Sequence, residues 1–534
     1  MKRIKLPIRE TTKKVWSRRI KNFWFEYSHN KIGLVGLGML SIFAIMALFS
    51  PVLAPYSIDE VRTTAPRQSY KFAVPEWFTL IFPHLSDLPP TLEFPLQWNL
   101  SDQNLPESIT AYKLDNGWFF IYNASRTGSR EPVTVFLESK INYQYAPTKE
   151  FDINFRYIAQ PNATVTIYRK IAGKLRPVGV TSSMMHLVEL SIIHPLGFVW
   201  KLWDQNWDRQ KTVDPYTKPA YWSESANVEA SLFTSEGRLA IKLGYEPYET
   251  VKMTQHILSA KGEYILRLNI SFKPPEPIGG VEIPIEEVLG NLTIYNGKLK
   301  IWGLKLGILG ADAFGHDVFS QIIHGARISL IFGLTCAAIA VTFGLLVGVT
   351  AGYIGGFVDE FLMRIVDILI CLPVLPILLI FIALFGYNLW YLVLIYAFFG
   401  WQGLSRVIRS QTLSLRETSF VECAIASGGS RSYIILRHIV PNVFPTAVAA
   451  LILSVPGAII TEAALSFLGF SDPTSPTWGR MLQTAYEFGA FSPTNLALWN
   501  ILPPGICITS ICLSFVFIGH AVDEIVNPKL RRRR

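Results

Sequence analysis

Five asparagines stand in the pattern Asn-x-Ser/Thr, whose side-chain amide accepts an N-linked glycan when the segment is outside the cytoplasm. They are Asn99, Asn123, Asn162, Asn269 and Asn291, and all of them fall within residues 56–304. The rest of the chain contains no Asn-x-Ser/Thr pattern. The number of these patterns within 56–304 exceeds what the composition of the segment would give by chance. The pattern favours an extracytoplasmic segment in a glycosylating organism. The alternative, a chance cluster in a β-rich region where Ser and Thr often follow Asn, stays open.

Other chemistry is not indicated in this segment. It contains no Gly-x-Ser-x-Gly, His-Glu-x-x-His, Walker A or Cys-x-x-Cys pattern, so we expect no catalytic residue, no metal site and no bound cofactor. A cluster of aromatic and acidic residues would suit a sugar cleft: Trp200, Trp203, Trp207, Trp222, Asp204, Asp208 and Asp214. That reading defines the alternative function, a membrane-anchored extracellular glycan- or peptide-binding protein. Aromatic residues in a β domain are more often core.

Charge and hydropathy divide the chain into two regions. Residues 56–304 carry 25 Lys and Arg against 26 Asp and Glu, so the overall charge of +9 belongs to the remainder, which also holds the long apolar runs. Basic residues beside apolar runs are typical of the cytoplasmic flanks of membrane spans. A nucleic-acid-binding protein would instead need a basic face on a folded soluble domain. We therefore expect membrane lipids around the chain and no nucleic-acid partner.

Six apolar runs are long enough to cross a bilayer. The first, 32–55, follows a basic arm at 1–31 and lacks a signal-peptide cleavage site, so we interpret it as a retained helix. The other candidate spans are 325–351, 358–386, 388–408, 438–468 and 498–520. Basic residues in the arm, in the loop before 438 and at the C-terminus place both termini in the cytoplasm and 56–304 outside. We predict a multi-pass protein of the plasma membrane, with a helical core in 305–534.

The sequence of residues 56–304 predicts β structure. Apolar and polar residues alternate with period two over 133–139, 151–160, 164–170, 263–272 and 292–309. Turn pairs such as Asn116-Gly117, Asn296-Gly297 and Lys261-Gly262 fall between or within these stretches. The pattern predicts a β-rich, sandwich-like extracytoplasmic domain between the first and second helices.

Three ionisable residues lie inside the apolar runs, where such groups are candidates for a functional role. Arg364 and Asp367 are three residues apart, and we expect them to pair locally on one helix face. Glu462 lies toward the outer end of the fifth span, where it would face a translocation path or bond to backbone. We treat all three as candidate path or helix–helix residues.

Residues 416–442 are too polar for the bilayer but helical in pattern. Phe420, Val421, Ala424 and Ile425 form one apolar stripe, Gly428 and Gly429 end a first helix, and Ser430 suits the N-cap of a second. Pro441 marks the start of the next span. The sequence predicts a helical hairpin at 416–440 on the cytoplasmic side. Its apolar face either docks on a partner or packs on the underside of the protein itself.

This stretch resembles the EAA coupling motif of ABC-importer permeases, which reads Glu-Ala-Ala-x3-Gly-x10-Ile-x-Pro. Glu422, Ala424, Gly428, Ile439 and Pro441 match it, and Cys423 replaces the second-position alanine. The resemblance implies that ATPase coupling is carried by these residues together with Arg416, Glu417, Phe420 and Val421.

Further segments resemble the C-type permeases of the dipeptide, oligopeptide and nickel importers. They are 30–56, 309–330, 352–369, 462–470 and 522–531. The 309–330 stretch resembles the family signature through Asp312, Gly315, Asp317 and Arg327, but His316 and Gln321 stand where the family has arginines. We expect Asp312, Asp317 and Arg327 to form an ionic network at the outer membrane surface.

The resemblance covers roughly 1–60 and 305–534, and implies a type I permease fold with six transmembrane helices. It implies a heterodimer with a homologous permease, two ATPase subunits that hold ATP and Mg²⁺, and an extracytoplasmic substrate-binding protein. Peptides or oligosaccharides are the expected substrates, and nickel stays open. The resemblance says nothing about 56–304, which would dock the binding protein, form a vestibule or act as a spacer.

Overall fold

The computed structural model describes residues 21–526 except 22, 102–104, 163, 172–173, 206–225, 276, 278–282, 473 and 493–495. It has two compact units. The helical unit comprises Met1–Arg67 with Gly307–Arg534, and the β unit comprises Gln68–Leu306. The β unit therefore begins later than the expected boundary at 56. The reason is local: the Tyr56 and Ala65 carbonyls accept hydrogen bonds from His324 and His316, which keeps 56–65 with the helices.

We number the principal helices of the helical unit in chain order. They are α1 Lys31–Leu48, α2 Val318–Ile354, α3 Gly356–Cys371, α4 Val374–Phe385, α5 Leu389–Phe398, α6 Gln402–Arg416, α7 Ser419–Ala426, α8 Arg431–Phe467, α9 Trp478–Glu487 and α10 Leu498–Val526. A short helical turn, Ser50–Leu53, follows α1. Within the described residues α1, α2, α8 and α10 are each long and apolar enough to cross a membrane.

Two of the predicted spans are bent instead of straight. The 358–386 run forms α3 and α4, which meet at 78°, and the 388–408 run forms α5 and α6, which meet at 40°. At the first bend Leu372 has ψ 131° because the ring of Pro373 disfavours helical backbone in the residue before it. By length and composition the described part thus has four candidate spans, or up to six if each bent pair crosses once.

The hairpin and the following span are also continuous, contrary to the predicted boundary at Pro441. Residues Arg431–Ile434 run through a π-helical turn, Ile435–Ile439, into Val440–Phe467. Proline has no N–H to donate to the carbonyl four residues earlier. A local change of helical pitch accommodates that missing bond, so the chain passes Pro441 without stopping.

Small residues set the closest helix contacts of this unit. Gly344, Gly348 and Gly352 recur every four residues on α2 and face α6, where a Cβ on Gly348 would come within 2.6 Å of the Ser405 carbonyl oxygen. On α1, a Cβ on Gly33 would lie 2.7 Å from Cβ of Ala521 in α10. Close backbone approach through small residues is how helices associate in membranes. Helices α1 and α10 are therefore direct neighbours.

The β unit confirms the β prediction. Its strands are β1 Leu92–Leu96, β2 Asn99–Leu100, β3 Ile109–Leu114, β4 Gly117–Asn123, β5 Val133–Tyr143, β6 Phe151–Pro161, β7 Thr164–Ile171, β8 Lys174–Ser182, β9 Met185–Ile193, β10 Val199–Asp204, β11 Ala226–Phe233, β12 Gly262–Lys273, β13 Leu289–Tyr295 and β14 Gly297–Ile301. A short helix, Phe78–Ile81, precedes β1, and two more, Gly237–Lys242 and Thr250–Ile257, lie between β11 and β12.

Two antiparallel sheets share one core. One has the order β1-β14-β6-β13-β4-β3 with β11 paired to β6, the other is β10-β9-β12-β5-β2, and β7 and β8 form a separate hairpin. Alternate residues of each sheet point into the core: in β12, for example, Leu266, Leu268 and Ile270 are fully buried. The arrangement is a sandwich, built by the period-two pattern of its strands.

Candidate functional site

The hairpin consists of the end of α6, helix α7 and the first turns of α8. Helix α7 buries Val421 completely, in a cluster that includes Ile408 of α6 and Ile434 and Val443 of α8. Phe420 and Ile425 are 43% and 51% exposed. The predicted stripe is therefore buried only along its centre: Val421 and the partly buried Ala424 attach α7 to its own helices, whereas Phe420 and Ile425 lie at the two borders of the stripe and are exposed. This packing fixes α7 on α6 and α8, and the second part of the hairpin is continuous with the rest of α8.

The turn of the hairpin follows the local rules that its sequence predicts. Gly428 has φ +77°, and its N–H donates to the Ile425 carbonyl (2.9 Å) while the Gly429 N–H donates to the Ala424 carbonyl (3.0 Å). This is the Schellman end of a helix, in which a left-handed residue satisfies the last carbonyls. Ser430 then caps α8, since its Oγ accepts from the Tyr433 N–H (3.3 Å). These bonds fix the angle between α7 and α8.

The other predicted coupling residues lie around this turn. Arg416 ends α6, Glu417 is its C-cap residue, and Glu422 is exposed in the first turn of α7, where a carboxylate is favoured by the helix dipole. Ile439 is buried in the π-helical turn and Pro441 is exposed beside it. The structure therefore brings the whole predicted set to one end of α6 and α8.

Two ion pairs that the sequence analysis missed tie α6 to α3. Arg409 donates from Nε and Nη2 to the two carboxylate oxygens of Asp359, and Arg406 pairs with Asp367. The expected local pair of Arg364 with Asp367 is therefore wrong: Arg364 is exposed, and Asp367 reaches across to the neighbouring helix. No signal in the sequence marked these pairs, because the acids are eight residues apart and the arginines three, so that only the packing of α6 on α3 brings them together.

Replacing Arg409 by methionine is expected to lower the stability of the helical unit by about 1–2 kcal/mol, because the largely buried Asp359 carboxylate loses its bidentate partner. The double variant Arg409→Met/Asp359→Leu should recover most of that loss. Thermal unfolding of the wild type, both single variants and the double variant measures the coupling. Additive effects of the two single changes would contradict a specific ion pair.

A second polar cluster lies where the chain enters α2. Oδ1 of Asp312 accepts from the Phe314 N–H (2.8 Å) and the His316 N–H (2.9 Å), and its Oδ2 accepts from the Gln321 side chain (2.7 Å). The Gly315 N–H donates to the Asp312 carbonyl (3.2 Å). Asp312 thus organises the loop, and the Gln321 amide fills the place that the resemblance assigns to an arginine.

Asp317 caps α2. Its Oδ2 accepts from the Ser320 N–H (2.7 Å) and the Ser320 hydroxyl (2.6 Å). Burial raises the pKa of Asp317 above its ordinary value, and the charge of Asp312 adds to this, although the Ser320 bonds act in the opposite direction. The side chain therefore has a structural partner even though position 316 is histidine instead of arginine.

The prediction that Arg327 belongs to an ionic network with Asp312 and Asp317 is wrong. Arg327 is exposed and has no ion pair within the part of the chain that the structure describes. Arg480 of α9, and not Arg327, is the cation near Asp312: it lines a small gap together with Asp312, Gln321 and Thr474. Burial lowers the pKa of Arg480, against the charges of Asp472, Glu487 and Asp312. Nothing local marked Arg480 in the sequence, because only the fold brings α9 to the start of α2.

Asp472 is held ionised beside Arg480. Burial works to raise the pKa of Asp472, but hydrogen bonds from Thr474 and Ser475 together with the charge of Arg480 outweigh it and lower the pKa.

Glu462 is a buried residue of α8. Its carboxylate accepts a hydrogen bond from the Ser466 hydroxyl (2.7 Å), and the Ser466 oxygen accepts one from the Thr477 hydroxyl (3.2 Å). Glu462 thus bonds to a side chain and joins the end of α8 to the segment before α9.

The remaining candidates lie in the β unit. Asn99 and Asn162 are exposed, Asn123 caps a short helical turn through Oδ1, and Asn269 and Asn291 are half-buried in β12 and β13. Trp203 is fully buried in the core and Trp200 packs against it, which removes them from a sugar cleft. Trp207, Trp222, Asp208 and Asp214 lie outside the described residues. Among those described, no group of His, Cys, Asp or Glu could hold a metal ion.

Comparisons with known proteins match the helical unit. Residues 344–532 match the family described as the inner membrane component of binding-protein-dependent transport systems, and 19–73 match the N-terminal transmembrane domain of oligopeptide transport permease C. These two matches leave out residues 74–343.

Three relatives illustrate the similarity. The chain is 38% identical over 226 residues to the oligopeptide transport system permease protein OppC of Haemophilus influenzae, covering 42% of this chain and 70% of that protein. Identity to the dipeptide transport system permease protein DppC of Alkalihalophilus pseudofirmus is 34%, covering 42% and 72%. Identity to the glutathione transport system permease protein GsiD of Pectobacterium atrosepticum is 32%, covering 42% and 73%.

Proposed function

Because the chain belongs to the permease family of oligopeptide and dipeptide ABC importers, we propose that it forms, with a homologous permease, the path by which peptides enter the cell. The chain is a transmembrane permease subunit and not an enzyme. ATP and Mg²⁺ are bound and used by two partner ATPase subunits. The names of the relatives support peptides as the substrate class, and no observation favours oligosaccharides or nickel.

The proposed topology has six spans. Helices α1, α2, α8 and α10 cross singly, and each of the bent pairs α3–α4 and α5–α6 crosses once. Both termini and the hairpin then lie in the cytoplasm of a plasma-membrane protein, with the β unit outside. The distribution of basic residues supports this orientation, since they cluster in the N-terminal arm, in the hairpin and at the C-terminus.

The hairpin carries the proposal. Val421 packs the centre of its apolar stripe on α6 and α8, and the borders of that stripe present the exposed Phe420 and Ile425, with the exposed Glu422 next to Ile425 on the helix surface. Exposed apolar side chains on a packed helix support docking on another protein. We assign the partner as an ATPase subunit, so that a movement of the ATPase is transmitted through α8 to the helices that line the path.

Coupling requires a difference in affinity. ATP can drive the permease toward one conformation only if the ATPases with ATP bound hold that conformation more tightly than the other. A hundredfold shift of the conformational equilibrium needs about 2.7 kcal/mol of such difference. A flexible hairpin would bend without transmitting this difference in binding free energy to the other helices. The packing of α7 and the unbroken course of α8 through Pro441 therefore suit the coupling role. An extracytoplasmic binding protein delivers the peptide in this scheme.

Reconstitution tests the function. The complete transporter in proteoliposomes, supplied with its binding protein, is expected to accumulate a radiolabelled oligopeptide only when ATP is enclosed on the ATPase side. A variant with hydrolysis-deficient ATPase subunits is the control and should accumulate none. Accumulation of oligosaccharides or Ni²⁺ without that of any peptide would refute the substrate class, and accumulation without ATP would refute the mechanism.

A further inference from the structure

An exposed apolar surface lies at one end of the β unit and is built from two separate loops. The first surrounds the helical turn Phe78–Ile81, and the second is the turn between β9 and β10. Leu80 is 83% exposed and Leu196 is 73% exposed. We call this surface the apolar tip and define it by its exposed members, Trp77, Leu80, Ile81, Phe82, Leu196 and Phe198.

Both loops belong to the same end of the sandwich. The β9–β10 turn is adjacent to the start of β12, because Ile193 pairs with Ile265 and a Cβ on Gly262 would touch Pro195. Lys261, just before β12, forms an ion pair with Asp87 (2.6 Å). Asp87 is only five residues beyond Phe82, so the two loops approach each other from different parts of the chain.

The chain also enters and leaves the β unit at this end. The Tyr70 N–H donates to the Gly303 carbonyl (2.9 Å), and Val74 exchanges bonds with Leu304 and Leu306 (both 2.9 Å). Val74 precedes Trp77 by three residues, and Leu306 is the last residue of the β unit. The entry strand, the exit strand and the apolar tip therefore share one end.

Both connections to membrane-spanning helices are short. Ala65, bound by His316 next to the cap of α2, lies twelve residues before Trp77. Leu306 lies twelve residues before Val318, the first residue of α2, and twelve extended residues reach at most roughly 40 Å. The tip is thus tethered within reach of the bilayer surface whichever side of the membrane the β unit occupies.

The described loops beside β4 and β5 at the opposite end, which we call the polar end, are polar. The turn after β4 exposes Ser125, Arg126 and Thr127, and the loop before β5 exposes Arg130 and Glu131. The described part of the β7–β8 hairpin, beyond the same end, has the exposed Ile171, whereas six large exposed apolar groups cluster at the tethered end. Trp, Phe and Leu are the residues that enter the boundary between lipid headgroups and acyl chains.

We propose that the apolar tip docks on the surface of the lipid bilayer. Leu80 and Ile81 enter the acyl boundary, and the rings of Trp77 and Phe82 lie at the level of the headgroups. The polar end of the β unit does not enter the bilayer in this arrangement. This inference goes beyond the proposed transport function and depends only on the chain spanning a membrane.

Photo-crosslinking tests the contact. The full chain, with p-benzoylphenylalanine in place of Leu80, is reconstituted in nanodiscs of phosphatidylcholine and phosphatidylglycerol (3:1) and irradiated, and mass spectrometry identifies the adducts. The same residue in place of Leu196 is a second test position, and in place of Glu131 it is the control at the polar end. Lipid adducts at 80 and 196 are expected to exceed those at 131 at least fivefold. Equal yields at the three positions, or adducts to protein instead of lipid, would overturn the proposal.

Hydrogen exchange gives an independent readout in the same nanodiscs. The double variant Leu80→Glu/Ile81→Glu is expected to raise the exchange rate of amides 76–84 at least tenfold, because the loop leaves the bilayer. Amides of β12 should exchange as in the wild type, which shows that the sandwich remains folded. Unchanged exchange in 76–84 would contradict docking on lipid.

Discussion

Gly428→Val is expected to reduce substrate-stimulated ATPase activity and peptide uptake by at least tenfold while the protein still inserts in the membrane. Gly428 has φ +77°, a conformation that costs an ordinary L-residue roughly 1–2 kcal/mol and a β-branched residue more. No atom lies within 4 Å of the position of its Cβ, so backbone strain, and not a clash, causes the loss. An energy of 1.4 kcal/mol corresponds to a tenfold change in the population of the correct turn.

The matched control is Gly428→Asn, since asparagine adopts the left-handed conformation most readily after glycine. It should retain most of the stimulated activity. Membrane yield and thermal unfolding of both variants establish that the helical unit is intact, and ATPase assays with and without the loaded binding protein measure coupling. Normal stimulation in the valine variant would show that the α7–α8 angle does not transmit the signal.

Trp478→Ala is expected to have the largest effect on stability, about 3–5 kcal/mol. Trp478 is fully buried, its Nε1 donates to the Ile322 carbonyl (3.0 Å), and its ring meets the edge of Phe43 at 5.8 Å. Gly325 of α2 packs against the indole ring, and a Cβ at position 325 would lie 2.8 Å from the Cδ1 and Nε1 atoms of Trp478. The alanine variant leaves a cavity between α1, α2 and α9 that none of these helices can fill.

Thermal unfolding in detergent should show a decrease in Tm of about 10 °C for Trp478→Ala. Trp478→Phe keeps a ring in the cavity and loses the hydrogen bond, so its decrease should be smaller. Trp24→Ala removes an exposed tryptophan of the same unit and should leave Tm almost unchanged. A similar Tm for both alanine variants would refute the assignment of Trp478 as the centre of this packing.

Local rules predicted much of the fold. The alternation over 151–160 became β6 at Phe151–Pro161, and the turn pair Asn296-Gly297 separates β13 from β14. In the hairpin, Gly428 and Ser430 take the conformations that their residue types predict. These features succeed because each is decided by neighbours in sequence.

Features decided between helices were missed for the opposite reason. Phe420 and Val421 are adjacent and both apolar, so hydropathy could not show that only Val421 faces the protein. Asp367 was assigned to Arg364 because the sequence shows residues on one helix and not the helix beside it. Arg480 was overlooked since its charge meets Asp312 only after α9 folds back on α2. The bend at Pro373 depends on whether neighbouring helices straighten or accept it.

The contact of Gly33 in α1 with Ala521 in α10 has a consequence for biosynthesis. About 450 residues separate the end of α1 from the start of α10, which take on the order of 20 to 90 s to translate. Throughout that interval the first helix sits in the bilayer with its glycine face against lipid or the insertion machinery. Its final docking is therefore a late, post-insertion event. In a truncated nascent chain that lacks α10, a crosslinker at Gly33 or Gly36 should therefore label lipid or the insertion machinery.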